Sequence, residues 1–203
     1  MPPGRENNRP YPISTIGKCG LSNFFIVLLC TLFLVPSLHA QKSKPTDYQV
    51  KAVYLINFAR FVEWPEKPGT QQDSFTICVL GPDPFGRTLD TVLAGEKIGG
   101  RSAVAKRVST PQDSVDCRIL FVSSAEMGSV NRMLEAANKQ GALTVSDMPH
   151  FTNRGGMIQF VTDDKRVRFE VNLTAAQRAG LTLSSELLKV ATLVRTNETA
   201  GDQ

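Results

Sequence analysis

Three short, mainly apolar runs restrict the fold of this chain more than any other feature. They are residues 75–80 (FTICVL), 117–122 (CRILFV) and 142–145 (ALTV). An apolar run of this length without polar alternation is typical of a strand that is buried on both faces, as strands of parallel sheets are. Segments with helical spacing separate the runs. This order predicts an α/β fold with a largely parallel central sheet covered by helices on both faces.

The remaining elements are predicted from apolar spacing and from breaker residues. They are helix 48–63 before Trp64-Pro65, helix 84–93 with Asp83 as its cap, strand 103–108, helix 124–138 with Ser124 as its cap and Gly141 after its end, and short helices at 175–179 and 185–194. Helix 48–63 is apolar around most of its circumference. Such a helix is covered on most sides, either by the rest of the domain or by a second subunit, so a homodimer is one of two open alternatives.

The pattern changes to a hairpin after the third run. Strands 156–161 and 167–173 flank the turn 162–166, and the second strand alternates between apolar and polar residues. Such alternation directs one set of side chains to the core and the other to solvent. We therefore expect an antiparallel hairpin at one edge of the sheet.

The first 40 residues have the layout of an export signal. A basic stretch up to Lys18 precedes an apolar run at 21–35, which is shorter than the ~20 residues that span a bilayer. We expect 1–40 to be a cleaved signal peptide, with periplasmic localisation and no stable membrane insertion after cleavage; an uncleaved anchor is the alternative. Residues 41–47 are then a flexible lead-in, 48–195 the α/β domain and 196–203 a disordered tail.

Composition excludes several classes of function. Beyond residue 40 the chain has 20 basic and 18 acidic residues, interspersed, so it lacks the basic stripe of a nucleic-acid-binding protein. His39 and His150 are the two histidines, too few for a multi-histidine metal site. The sequence contains no P-loop, no G-x-G-x-x-G and no G-x-S-x-G motif. We expect no cofactor, no metal and no catalysis. Asp147 and His150 are close enough in sequence to form an acid–base pair, and a solvated loop histidine is the alternative.

Two cysteines, Cys78 and Cys117, remain after removal of the leader. In an exported protein an even pair indicates a disulfide, and two buried free thiols are the alternative. Cys78 lies midway along one predicted strand and Cys117 begins another. A bond between them requires strands staggered by about three residues or a bend at Cys117.

Two groups of residues are candidates for ligand binding. Gly81 and Asp83 follow one predicted strand and Asp147 follows another, and ligands of open parallel sheets collect beyond the carboxyl ends of strands. Arg60 lies with Glu63 on the narrow polar face of the first helix and Asn57 lies near them, so that Asn57 and Arg60 could hold a small anionic or aromatic ligand. The alternative is that the first group turns the chain and caps a helix, and that the second satisfies a carboxylate and a backbone carbonyl.

The outward side of the hairpin is the candidate partner surface. It comprises Arg168 and Glu170, with Ile158 and Phe160 on the paired strand. A register shift of one residue would turn Ile158 and Phe160 toward the core and leave an ordinary solvated strand face.

Seven segments of the chain together resemble one family. They are VKAVYLINFARFVEWP (50–65), FTICVLGPDPFG (75–86), CRILFVSS (117–124), LTVSDMPHF (143–151), GGMIQFV (155–161), VRFEVNL (167–173) and AGLTLSSELLKVA (179–191). In their order and spacing they resemble the YfiR family of exported bacterial proteins, and the resemblance covers residues 48–194.

This resemblance implies a periplasmic α/β protein, often dimeric, whose best-known member represses an inner-membrane diguanylate cyclase and so lowers cyclic di-GMP. Cys78 and Cys117 occupy places where that member carries a disulfide, but no second cysteine pair follows residue 117 here. We therefore expect a periplasmic regulatory binding protein that docks on the periplasmic part of a membrane diguanylate cyclase. The alternative is a small-molecule sensor or carrier that serves a sensor kinase or a transporter.

Overall fold

One eight-stranded sheet is the central feature of the fold. The computed structural model describes residues 45–65 and 73–194. The strands are β1 (Val62–Glu63), β2 (Ser74–Leu80), β3 (Lys97–Ile98), β4 (Arg101–Val108), β5 (Cys117–Val122), β6 (Leu143–Ser146), β7 (Ile158–Asp163), β8 (Arg166–Val171), β9 (Thr182–Leu183) and β10 (Thr192–Leu193). The sheet has the order β10-β8-β7-β6-β5-β2-β4-β3, and β1 pairs with β9 in a separate antiparallel ribbon.

The sheet is mostly parallel, as predicted. β2 pairs in parallel with β4 and β5, and β6 pairs in parallel with β5 and β7. Among the described strands of this sheet, antiparallel pairs join β7 to β8 and β3 to β4. The three apolar runs form β2, β5 and β6 at the centre of the sheet, where nearly all their side chains are buried.

Helices lie on both faces of the sheet, but they cover the faces unequally. They are α1 (Asp47–Phe61), α2 (Arg87–Leu93), α3 (Val130–Gln140), α4 (Leu173–Arg178) and α5 (Ser185–Val190). One apolar cluster joins Ile77 and Val79 of β2 to α1, α2, α4 and α5. The other joins Cys78 and Leu80 to α3 on the opposite face. Because successive strand residues alternate between faces, β2 contributes to both cores.

Two helices are shorter than predicted because the residues after them pair as strands. The first helix stops at Phe61 rather than at residue 63, since Val62 and Glu63 form β1 opposite β9. The last stops at Val190 rather than at residue 194, since Thr192 and Leu193 pair with β8. Backbone groups at these positions therefore find partners in a sheet instead of in a helix.

Both predicted caps at Asp83 and Ser124 are wrong. Helix α2 begins at Arg87 after Gly86, and the Asp83 carboxylate instead accepts a hydrogen bond from the Phe85 N–H (2.8 Å). Ser124 begins a 3-10 turn, Ser124–Glu126, and α3 starts only at Val130. Short polar residues stabilise turns by the same side-chain bonds that cap helices, so their identity alone does not distinguish the two.

The predicted hairpin forms with a shorter turn. Asp163 pairs with Arg166, which leaves Asp164 and Lys165 as the loop, both with positive φ (46° and 60°). A two-residue loop of this conformation matches the twist of an antiparallel pair. The hairpin is not the outermost part of the sheet, however, because β10 lies beyond β8.

Several predictions concern segments outside the described residues. The signal peptide at 1–40 and the tail at 196–203 lie there, as does most of the lead-in at 41–47. Within the lead-in, Thr46 already caps α1 by accepting a hydrogen bond from the Gln49 N–H. Across residues 45–65 and 73–194 we find no helix with both the length and the apolarity that a bilayer crossing requires.

Candidate functional site

The carboxyl ends of the central strands β2, β5 and β6 lie together at one end of the strands, as predicted. The Ser123 N–H donates to the Leu80 carbonyl (3.0 Å), and Ser146 Oγ donates to the Val122 carbonyl (2.7 Å). Gly81 offers little room to a ligand at this end, because a Cβ added to it would lie 2.7 Å from Cγ of Glu126. Its φ of 84° also favours glycine, so the packing of the loop explains this residue.

Asp147 belongs to a nearly buried ionic group between α1 and the end of β6. Lys51 Nζ donates to Asp147 Oδ2 (2.7 Å), and the Tyr48 hydroxyl donates to the same oxygen (2.8 Å). The Lys51 and Asp147 side chains are 10% and 11% exposed. Burial, followed by the bond to Asp147, raises the pKa of Tyr48 to about 12 and so keeps its hydroxyl a donor. Asp147 therefore ties α1 to the sheet.

Asp83 belongs to a surface cluster centred on Arg107. Arg107 Nε donates to Asp83 (2.9 Å), both of its Nη atoms donate to Asp90 (2.7 Å each), and Nη2 also donates to the Gly86 carbonyl (2.7 Å). The bonds from Arg107 lower the pKa of Asp90. This bidentate geometry fixes the loop between β2 and α2 against β4.

Arg60 lines a cavity of about 370 Å³ near the carboxyl end of α1, which we call the basic cavity. Its walls combine four cationic side chains with aromatic, aliphatic and glycine residues: Arg60, Lys97, Arg101, Arg118, Trp64, Phe75, Ala59, Val62, Pro65, Ile98 and Gly99. Glu96 forms an ion pair with Arg60. Burial, followed by repulsion from Arg101, lowers the pKa of Arg118. Cationic groups beside an indole ring suit a small anion that carries a planar ring.

Strand β5 contains a bulge at Arg118, and this bulge also brings the two cysteines together. Cys78 pairs with Leu120, whereas Thr76 pairs with Cys117, so β5 contains one extra residue between these pairs. The bulge reduces the offset between the cysteines from three residues to two, which turns both side chains to the same face. The Cys78–Cys117 disulfide is present, with the Cα atoms 5.7 Å apart. The predicted disulfide is therefore confirmed, and a bend rather than a stagger allows it.

Asn57 lies in a different cavity, a groove of about 700 Å³ between α1 and α2 that we call the helix groove. Its lining residues are Pro45, Gln49, Val50, Val53, Tyr54 and Asn57 on one side and Arg87, Thr88, Thr91 and Val92 on the other. Asn57 and Arg60 thus line two separate cavities, whereas Gly81, Asp83 and Asp147 make contacts within the domain. A ligand-binding role for these five residues stays a prediction.

The predicted partner surface is wrong for two of its four residues. Ile158 and Phe160 are 0% and 3% exposed, because the hairpin register places Phe160 opposite Phe169 on the core face. The Phe160 ring packs against Tyr54 and Phe58 of α1. Arg168 is exposed and Glu170 is partly exposed, so these two still lie at the surface near the edge formed by β8 and β10.

Asp147 and His150 are not hydrogen-bonded to each other within the described residues. The Asp147 carboxylate bonds to Lys51 and Tyr48, and His150 lies exposed in the following loop with φ of 60°. Within the described ranges we find no group of three or more His, Cys, Asp or Glu side chains placed to hold a metal ion.

Two groupings of side chains were not predicted from the sequence, although each carries a visible signal. Lys51 is a charged residue within the mainly apolar stretch 50–56 of α1, and Arg118 is a charged residue within the mainly apolar run of β5. A charge at such a position requires a partner or an opening to solvent. Which partner or opening it finds depends on residues distant in the chain, such as Asp147 for Lys51.

Solved structures that resemble this chain do so at low sequence identity. A conserved domain protein from Vibrio cholerae O1 biovar El Tor strain N16961 is 15% identical, with a TM-score of 0.52, over 75% of this chain and 62% of that chain. Two others are the ABC domain in complex with L-Trp from Streptococcus pneumonia (12%, TM-score 0.44, over 59% and 55%) and CD0873, a substrate binding protein with adhesive properties from Clostridium difficile (13%, TM-score 0.46, over 73% and 60%). The chain spans about three-fifths of the length of these structures, and the Vibrio likeness supports the α/β fold alone.

No curated protein matches the sequence. The family model described as YfiR/HmsC-like matches residues 48–192, which is most of the chain and nearly all of the described domain. The match confirms the resemblance seen in the seven sequence segments. The chain belongs to the YfiR/HmsC-like family.

Proposed function

We propose that this chain represses an inner-membrane diguanylate cyclase by docking on the periplasmic part of that enzyme. The family match over residues 48–192 carries the proposal. A bound regulator can shift its partner between two states only by binding one state more tightly than the other. The chain therefore binds the inactive cyclase more tightly than the active one, and a tenfold preference corresponds to about 1.4 kcal/mol.

The interior of the domain supports a role as a rigid docking body. The Cys78–Cys117 disulfide links two central strands, and the Lys51–Asp147 pair ties α1 to the sheet. In the part of the chain that the structure describes, every buried side-chain nitrogen or oxygen has a hydrogen-bond partner. A body that is already ordered loses little conformational entropy on binding, which favours affinity.

The sheet edge at β8 and β10 is one candidate docking surface. Arg168 and Glu170 lie there, and Val190 and Leu193 are exposed apolar residues of the neighbouring segment. Arg168 pairs with Asp163 (3.0 Å) in an exposed ion pair, which costs little to exchange for a partner's carboxylate. Apolar residues beside exchangeable charges are typical of protein interfaces.

Purification of the chain from the native envelope tests this function. The tagged full-length chain is captured after crosslinking, and an Arg168→Glu variant is captured in parallel. We expect a membrane diguanylate cyclase to co-purify with the wild type and to be depleted with the variant. A sensor kinase or a transporter in its place would favour the alternative function, and an adjacent gene for a membrane cyclase would favour the repressor.

The basic cavity supports a second candidate function, that of a small-molecule sensor. Arg101 and Arg118 line the same cavity as the Trp64 indole, and two guanidinium groups beside an aromatic ring suit an aromatic carboxylate. Titration calorimetry with a panel of small aromatic carboxylates tests this function, with the wild type and the cavity variant Arg101→Gln measured in parallel. Binding by the wild type that is about tenfold weaker in Arg101→Gln supports a sensor. Equal heats for both proteins contradict it.

A further inference from the structure

The helix groove is a second surface, lined by different residues from the edge at β8 and β10. Its two walls run side by side in the same direction, as contacts at both ends show. Tyr48 at the start of α1 packs on Phe85 just before α2 (5.5 Å between ring centres), and Arg60 at the end of α1 pairs with Glu96 just after α2. Along α1 the groove extends from Gln49 to Asn57, about 12 Å or two helical turns.

The floor of the groove is apolar. Val50, Val53, Tyr54 and Val92 line it, and Val53 is 48% exposed. The opposite side of α1 packs on the sheet through residues such as Leu55 and Phe58. An exposed valine within a concave apolar surface is a feature of binding sites more than of ordinary solvated helix faces.

Arg87 is the single charged residue among the described lining residues of the groove. Its guanidinium makes no ion pair or side-chain hydrogen bond within the described ranges, although its positive charge, after the bonds from Arg107, helps to lower the pKa of Asp90. The neighbouring acid on α2, Asp90, is already bonded by both Nη atoms of Arg107. Arg60, Arg107 and Arg168 each have a carboxylate partner. Arg87 is therefore available to a carboxylate that approaches along the groove.

We propose that the helix groove receives a short amphipathic helix from the periplasmic part of the membrane partner, with an acidic side chain placed to meet Arg87. This inference rests on the proposed function. Two parallel helices leave a trough into which a third helix packs at about 8–10 Å from each. Over two turns such a helix presents apolar residues at i, i+3, i+4 and i+7 to the valines, and its carboxylate can bond the Arg87 guanidinium in a bidentate manner.

Three exported full-length variants test the groove in a strain that lacks the chromosomal copy. Val53→Glu and Arg87→Glu alter the groove, and Val115→Glu is the matched control, since Val115 is 63% exposed before β5 and outside the groove. Abundance and thermal unfolding establish that each variant folds. We expect both groove variants to bind the cyclase about tenfold more weakly or worse and to lose repression, whereas Val115→Glu lowers cyclic di-GMP as the wild type does.

A charge exchange and a photocrosslink identify the occupant. An acidic residue of the partner helix changed to arginine should restore binding to Arg87→Glu, and a photoreactive residue at 53 should crosslink to that helix. Repression by Val53→Glu and Arg87→Glu equal to the wild type would overturn the groove and leave the proposed function intact. If the wild type itself fails to lower cyclic di-GMP, the proposed function fails. The photocrosslink then tests the groove independently, and a crosslink at position 53 to a second copy of this chain, or to no protein, would overturn the proposed occupant.

Discussion

Lys51 is a cation on the buried side of a helix whose neighbouring residues there are apolar. Its ammonium lies 2.7 Å from Asp147 Oδ2 and 4.3 Å from the centre of the Tyr48 ring. Taking both charges out of water costs several kcal/mol per ion, which their attraction and the Tyr48 bond offset. A pair of this kind adds little net stability, but it is costly to break because the remaining charge stays buried.

A double-mutant cycle measures the coupling of this pair. We expect Lys51→Met and Asp147→Asn each to lower the free energy of unfolding by about 3 kcal/mol, since each leaves one charge without its partner. The double variant should cost less than the sum of the two by about 1–3 kcal/mol, as urea unfolding would measure. Additivity of the two single changes would contradict an ion pair in the folded domain.

Tyr48 gives this group a pH dependence. Its pKa in the folded domain is about 12, against 10.0 for the ordinary group, so the unfolded chain loses the phenolic proton first. The stability due to neutral Tyr48 is therefore complete below about pH 10 and declines as the pH rises toward 12. Tyr48→Phe should cost about 1 kcal/mol at pH 7 and lack this decline, so the two unfolding curves should converge above pH 10. Parallel curves would show that the folded domain does not raise the pKa of Tyr48.

At the scale of the element, the bulge in β5 serves both faces of the sheet. Arg118 is the extra residue of the bulge, and it lines the basic cavity. The change of register at the bulge turns Cys117 toward Cys78, in the apolar cluster on the opposite face. Both cysteines are buried under α3 and its neighbours. A disulfide that reductants cannot reach is structural in character, unlike the exposed bonds that act as switches.

Removing the disulfide should destabilise the domain without changing its fold. The loop it closes spans 39 residues, for which chain entropy gives about 4 kcal/mol, so Cys78→Ala/Cys117→Ala should lose about that much in urea unfolding. Access to the disulfide is tested separately on the wild type. Dithiothreitol should leave the disulfide of the native protein intact and should reduce it only when urea is added. Rapid reduction in native buffer would contradict a buried bond and would support a redox switch.

The elements could be predicted to the extent that their signals are local. The runs FTICVL and CRILFV are mainly apolar, with Thr76 and Arg118 as their polar members, so β2 and β5 were predicted almost to the residue. The bulge at Arg118 and the register that buries Phe160 depend on pairing between strands, which no local pattern specifies. The same holds for the site: Asn57 and Arg60 were predicted, but their separation into two cavities depends on α2 and β3.

At the scale of the whole molecule, the described domain combines a rigid interior with exposed candidate surfaces. The interior consists of two apolar clusters on either side of one sheet, linked through β2 and β5. The surfaces are the edge at β8 and β10, the helix groove and the basic cavity. The proposed repressor would need such a body, since it would act by holding its partner in one state.

Cyclic di-GMP in the native cell measures the central claim most directly. The strain without this gene is compared with the same strain that carries either the full-length chain or a version without residues 1–40, at matched expression. We predict that cyclic di-GMP rises on deletion, returns to its original level with the full-length chain and stays high with the version retained in the cytoplasm. An unchanged level on deletion, with a membrane diguanylate cyclase present and active, would contradict repression from the periplasm.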